Sequence, residues 1–144
     1  MVKNEYYVDS CIYINLWKKE VRNPYYPFWK SAQDFLERCE KQCEIIYYSG
    51  YVLKELEYVL GKERFMNKKS RFYTNLNMVR LFATEEELAF GRKIEAQLEY
   101  SISFFDIMHM ILAKRAGAIL ITRDRKLIIT ARAYETETKR PEEC

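Results

Sequence analysis

Several residue classes that often announce a function are scarce or missing. The chain has one histidine, His109, and its four cysteines, Cys11, Cys39, Cys43 and Cys144, include no CxxC pair. With no histidine cluster to complete a zinc site, the thiols read as small, buried or half-buried groups of a reducing compartment. Cys39 and Cys43 are expected as neighbours on one helix face. No apolar run reaches the roughly 18 residues that span a bilayer, and the N-terminus has no apolar signal region. A soluble, cytoplasmic protein is expected. Internal repeats, linkers and low-complexity blocks are also missing, so the 144 residues form one domain. That length buries about 70% of the surface of the unfolded chain. Charge of one sign is not in large excess: 24 Lys and Arg face 21 Asp and Glu, a net charge of +3. Such a balance permits an anionic partner without requiring one.

What remains is globular composition, 49% hydrophobic and 31% charged. Tyr6-Tyr7-Val8 is a β-forming run that stops at Asp9-Ser10, both N-cap types, and a helix follows to about Glu20. The Pro24-Tyr-Tyr-Pro27 segment breaks the pattern. A helix from about Phe28 to Gln42, an apolar strand at Ile45 to Tyr48 and a helix carrying Val52, Leu53, Leu56, Val59 and Leu60 on one face come next. Gly61 to Arg80 is basic and helix-prone, with Phe65, Phe72 and Tyr73 among its cations. Such a mixture either grips a single nucleic-acid strand or is a solvated helix pair with aromatic core contacts. Met78 to Phe82 is a third strand, and Thr84 opens a helix to about Leu98 with Glu87 as reciprocal cap. Ser101 to Leu127 then reads as a helix, a glycine stop and a strand. Ser103 is its N-cap, Asp106 the second member of a capping box, Gly117 the C-terminal stop, and Ala118 to Thr122 an apolar strand closed by Asp124. A helix at Leu127 to Tyr134, an exposed edge strand at Glu135 to Thr138 and a frayed tail from Lys139 finish the chain. Strands alternating with helices predict an α/β, three-layer domain around a mostly parallel sheet.

In such sheets ligands bind outside the carboxyl ends of the strands. Asp9 and Asp124 end two strands, Asp106 opens the helix before the second of them, and Glu55 lies early in the helix after the Ile45 strand. Taken singly, Asp9 is a helix cap, Asp106 a capping-box member, Glu55 a solvated residue and Asp124 the start of a turn. Together they reach one rim, where four carboxylates repel one another unless a cation compensates them. Oxygen donors of that kind suit Mg²⁺ or Mn²⁺. Periodicity leaves Glu55 and Glu57 equally placed. Arg123, Arg125 and Lys126, beside the acids, are either phosphate contacts or exposed turn residues.

Tyr7-Val-Asp-Ser-Cys-Ile-Tyr-Ile14, Ser49-Gly-Tyr-Val-Leu-Lys-Glu-Leu56, Asp106-Ile-Met-His-Met-Ile-Leu-Ala113 and Leu120-Ile-Thr-Arg-Asp-Arg125 resemble the successive motifs of the PIN-domain ribonucleases, most of all the VapC-type toxins of prokaryotic toxin-antitoxin pairs. The similarity runs from Tyr6 to the Arg140-Pro-Glu-Glu143 ending. It implies a PIN-like fold with about five strands, and a Mg²⁺-dependent endoribonuclease, with Mn²⁺ able to substitute, that leaves 5′-phosphate and 3′-hydroxyl ends. It implies Asp9, Glu55, Asp106 and Asp124 as the metal-holding and catalytic quartet, and favours Glu55 over Glu57. Ser10 and Thr122 are the hydroxyls that orient a carboxylate or a water. A homodimer and a small antitoxin protein are the implied partners, beside the RNA substrate.

Two departures stand out: Cys11 replaces a frequent asparagine, and Lys126 a frequent further acid. His109, one turn beyond Asp106, invites a general-base role, although the family often has a histidine there that is not a ligand. A non-catalytic RNA-binding or scaffolding protein, and an RNA-processing nuclease unrelated to toxicity, are the alternatives within the fold. A haloacid-dehalogenase-like phosphatase would need an aspartate at Cys11, and a response-regulator receiver one at Phe82-Ala83.

Overall fold

The computed structural model describes residues 3–20 and 26–144. Pro24 and Tyr25 of the proline-bounded break expected at residues 24–27 lie outside them. Strand β1 (Tyr6–Val8) leads through Asp9 into helix α1 (Ser10–Trp17), which stops short of Glu20. Helix α2 (Phe28–Lys41), strand β2 (Ile46–Ser49) and helix α3 (Gly50–Leu60) follow. The basic stretch folds into helices α4 (Lys62–Lys68) and α5 (Ser70–Thr74) and ends in strand β3 (Met78–Leu81). Helices α6 (Glu85–Gln97) and α7 (Phe104–Ala116), strand β4 (Ile119–Ile121), helix α8 (Arg125–Ala133), strand β5 (Thr138–Lys139) and a 3₁₀ turn (Pro141–Glu143) complete the order. Among the described residues no helix is long and apolar enough to cross a membrane.

The five strands make one sheet in the order β3-β2-β1-β4-β5, with every neighbouring pair parallel. The chain steps outward from β1 to β2 to β3, then crosses to the other side of β1 for β4 and β5. The reversal places the carboxyl ends of β1 and β4 at the topological switch point, where open α/β sheets bind ligands. Tyr6 pairs with Ile119 and Val8 with Ile121, and the Asp9 N–H continues the ladder to the Ile121 carbonyl at 2.9 Å. Both central strands are fully buried, which explains their lack of polar alternation. Tyr7, Leu120 and Ile121 of the sheet and Leu56, Ile107 and Leu112 of the helices are inaccessible to solvent. Burying an aliphatic side chain of this size contributes about 1.5–3 kcal/mol.

The local signals produce the expected helix ends. Thr84 and Glu87 form a complete capping box on α6, and Gly117 closes α7 in the left-handed region at φ 68°. Ser103 accepts the Asp106 N–H at 3.1 Å, so one half of the expected box on α7 is made.

Other expectations are corrected. Helix α2 ends at Lys41, and Cys43 follows in a left-handed conformation; Cys39 is buried and Cys43 exposed, not paired on a face. The strand expected at Glu135 to Thr138 shortens to Thr138–Lys139, because Glu135 takes a positive φ to close α8 and Thr136 N–H returns to the Ala131 carbonyl. The tail is folded, not frayed. Pro141 is buried, Arg38 donates to the Cys144 carbonyl at 2.7 Å, and Arg123 donates to Glu142 at 2.9 Å. Phe65 and Phe72 of the basic stretch are buried, so these two aromatics pack the core.

Candidate metal centre

Asp9 leaves β1 with the extended backbone of an N-cap residue, yet its side chain caps nothing in α1. Its buried carboxylate is instead held from three sides. Thr122 donates to Oδ2 at 2.8 Å, the Cys11 thiol to the same oxygen at 3.3 Å, and Ser10 to Oδ1 at 3.3 Å. Thr122 Oγ1 also accepts the Asp124 N–H at 3.1 Å, joining the ends of β1 and β4 through one hydroxyl. Burial, together with the Asp9 charge, pushes the Cys11 thiol well above its ordinary value, so it stays protonated and donates.

Around Asp9 the helices add further donors. One ligand atom each from Asp9, Glu55, Asp106 and His109 lie within 4.8 Å of one another. Glu55 is half-buried on α3, whereas Glu57 is exposed. Asp106, in the first turn of α7, has its carboxyl lifted to about 7. Burial is the main cause, the charges of Asp9, Glu55 and Asp124 add to it, and His109 opposes them. A buried carboxyl among other carboxylates, with its titration raised in this way, marks a cluster that added positive charge would stabilise. The donor set, dominated by carboxylate oxygen, fits a hard divalent cation.

Asp124 stands outside the tight group. It is exposed, and its Oδ1 caps α8 by accepting the Leu127 N–H at 3.1 Å. Its charge still reaches Asp106. Starting at Arg125, α8 begins two residues earlier than expected because of this cap. Arg123 is engaged by Asn15 and Glu142 and lies 4.2 Å over the Phe28 ring, while Arg125 and Lys126 are exposed.

His109 has no exposed surface, and both its ring nitrogens are used. Nε2 bonds Glu55 Oε1 at 2.5 Å, and Nδ1 bonds the Tyr7 hydroxyl at 2.7 Å, which in turn bonds Ser49 at 2.6 Å. Since a carboxylate only accepts, Nε2 carries a proton toward Glu55. Burial works against a charged imidazole, but the Glu55 bond and the nearby carboxylates outweigh it, and His109 titrates above its ordinary value. This geometry makes His109 a brace for Glu55. Tyr7 and Ser49 open two of the quoted motifs, but their bonds to each other and to His109 had no sequence signal, because the partners lie 42 and 102 residues apart along the chain.

The chain matches the PIN domain family over residues 6–133. A comparison with curated proteins found no match. Among solved structures, FitAcB from Neisseria gonorrhoeae is 15% identical with a TM-score of 0.62, covering 96% of this chain and 99% of its own. VapBC2 from Rickettsia felis, bound to a DNA fragment from its promoter, is 22% identical with a TM-score of 0.65, covering 94% and 97%. A domain of a functionally unknown protein from Methanocaldococcus jannaschii is 20% identical with a TM-score of 0.58, covering 95% and 90%. These identities speak to the fold, and the fold agrees with the switch-point acids and the match over nearly the whole chain: the protein belongs to the PIN domain family.

Proposed function

We propose that the protein is a Mg²⁺-dependent endoribonuclease, and the toxin component of a toxin-antitoxin pair. The observation that carries the reading is the convergence of Asp9, Glu55 and Asp106 within 4.8 Å at the switch point of the sheet. Asp124 completes the rim from β4. Asp9, Glu55, Asp106 and Asp124 would hold the ion. When bound, the ion supplies charge neutralisation at the phosphate and acidifies the attacking water.

The chain's own residues do the rest. Thr122, Cys11 and Ser10 fix the Asp9 carboxylate, so its lone pairs need no reorganisation when substrate arrives. His109 holds Glu55 in place. Arg125 and Lys126, exposed at the start of α8, reach phosphates beside the scissile one, whereas Arg123 keeps the C-terminal turn in place. Hydrolysis forms a bond from water oxygen to phosphorus and breaks the bond to the 3′ oxygen, giving 5′-phosphate and 3′-hydroxyl ends. A homodimer blocked by a small antitoxin protein belongs to the same reading.

The test is cleavage of total RNA by the purified chain with Mg²⁺, Mn²⁺ or EDTA, beside Asp9→Asn and Asp106→Asn. Metal-dependent cleavage that falls at least about 100-fold in both variants, with unchanged circular dichroism, is expected. Equal cleavage by wild type and both variants would overturn the assignment. Light scattering and co-expression with the neighbouring reading frame test the dimer and the antitoxin.

A further inference from the structure

Beside the acids lies a cleft of about 400 Å³ lined by Lys54, Glu55, Tyr58, Val59 and Phe105. Its origin is local. Positions 54, 55, 58 and 59 fall on one side of α3 by their three- and four-residue spacing, and Phe105 immediately precedes Asp106 on α7. The apolar pattern of α3 runs past the core here: Val59, expected inside, is 38% exposed, and Tyr58 is 91% exposed. The opposite wall is firm, because the Phe105 ring is braced edge-on by Tyr51 at 5.1 Å and 67°. Two aromatic side chains and an exposed lysine thus border an acid of the rim.

We propose that this cleft is a nucleobase subsite: stacking on Tyr58 and Phe105 holds the base of a single-stranded nucleic acid next to the phosphate at the acidic rim, with Lys54 on that nucleotide's phosphate. The proposal rests on the rim being a phosphodiester site. Each base has a π-face, so aromatic walls accept any of them, and an ammonium on a flexible stem suits a phosphate whose position varies. The Glu55 wall repels phosphate, which leaves the cleft to the base and the phosphate to the exposed Lys54.

The probes are a fluorescein-labelled single-stranded octaribonucleotide and its deoxy counterpart, titrated by anisotropy in Ca²⁺ with probe integrity checked on a gel. The proteins are wild type, Tyr58→Ala, Lys54→Ala and, as control, Tyr100→Ala, whose side chain is 72% exposed in the α6–α7 turn. Tyr58→Ala is expected to weaken binding of both probes about 5- to 150-fold, the range for losing one stacked base, with the control unchanged. Replacing successive nucleotides by abasic ones should reproduce that loss at one position in wild type and have no effect there in Tyr58→Ala. Lys54→Ala should weaken binding and reduce its salt dependence by about one phosphate contact. Unchanged affinity in Tyr58→Ala overturns the subsite, as does a Tyr58→Ala variant that merely turns a dimer into a monomer of equal affinity. A Tyr58 effect confined to the deoxy strand overturns its assignment to an RNA-cleaving rim. Tyr58-dependent binding by a chain that cleaves no RNA with any metal would sustain the subsite while sinking the nuclease reading, so the two failures are distinct.

Discussion

Asp106 is where the electrostatics of the rim converge. A carboxyl raised to about 7 takes up a proton when the chain folds, since in the unfolded chain it titrates near 4. Without a cation, stability is therefore greatest below about pH 4 as far as this group is concerned, and falls as pH climbs toward 7. His109 acts in the same direction, because its raised value means a stabilising proton is lost as pH rises through it. In EDTA the melting temperature should thus fall between about pH 5 and about pH 8, and Asp106→Asn should flatten the lower part of that slope. A flat wild-type curve, read by circular dichroism, would contradict the crowding of charges. Tyr7→Phe tests the brace: it strips the buried His109 ring and the Ser49 hydroxyl of their 2.7 Å and 2.6 Å partner. Urea denaturation should show a loss of about 1–3 kcal/mol. Asp9 and Asp124 were legible because strand ends are marked by abrupt polarity after apolar runs, and Asp106 because it follows its N-cap by three residues, whereas only the family resemblance separated Glu55 from Glu57. The brace was not legible, because His109 meets Tyr7 at a separation of 102 residues and Glu55 at 54, and no local pattern encodes either pairing.

Elements were legible where their ends are written within four residues. The Thr84-Glu87 box and the Ser103 cap each depend on a side chain meeting a backbone group of the same turn. The C-terminal turn is held from outside, by Arg38 of α2 and by Arg123 beyond β4, so a polar, proline-containing tail reads as frayed until those partners are placed. The packing of α6 on α7 is a similar long-range matter, and Gly91 lies in a close approach of the two helices. A Cβ there would lie 2.7 Å from the Met108 sulfur and 3.0 Å from a ring carbon of Phe104. Met108 is completely buried, so its pliable side chain has little space to retreat into. Gly91→Ala gains helix propensity, yet the overpacking should outweigh it and leave a net loss of about 1–2 kcal/mol. Chemical denaturation measures this directly, and a stabilised variant would show that the helices can part freely.

Across the whole molecule, the parallel order β3-β2-β1-β4-β5 brings acids from three separate stretches of chain, Asp9, Glu55 and Asp106, to one rim. A cation held there would tie α3 and α7 to the ends of β1 and β4, so binding and folding are linked. With Mn²⁺ at 100 times its dissociation constant, the gain is about 2.7 kcal/mol, or roughly 6–10 °C in melting temperature for a domain of this size. Asp124 separates this linkage from local structure. It caps α8 through Leu127 N–H and is exposed, and in the proposed quartet it also serves the ion. Asparagine caps a helix as well as aspartate does, but carries no charge. Asp124→Asn should therefore melt in EDTA at or slightly above the wild-type temperature, since one repelling charge is gone, while losing much of the Mn²⁺-dependent rise. Asp124→Ala loses the cap as well, and should melt lower in EDTA by the equivalent of about 1 kcal/mol. Differential scanning calorimetry of the three proteins with and without Mn²⁺ decides the matter. A full Mn²⁺ response in Asp124→Asn would remove this residue from the quartet and leave it a helix cap alone.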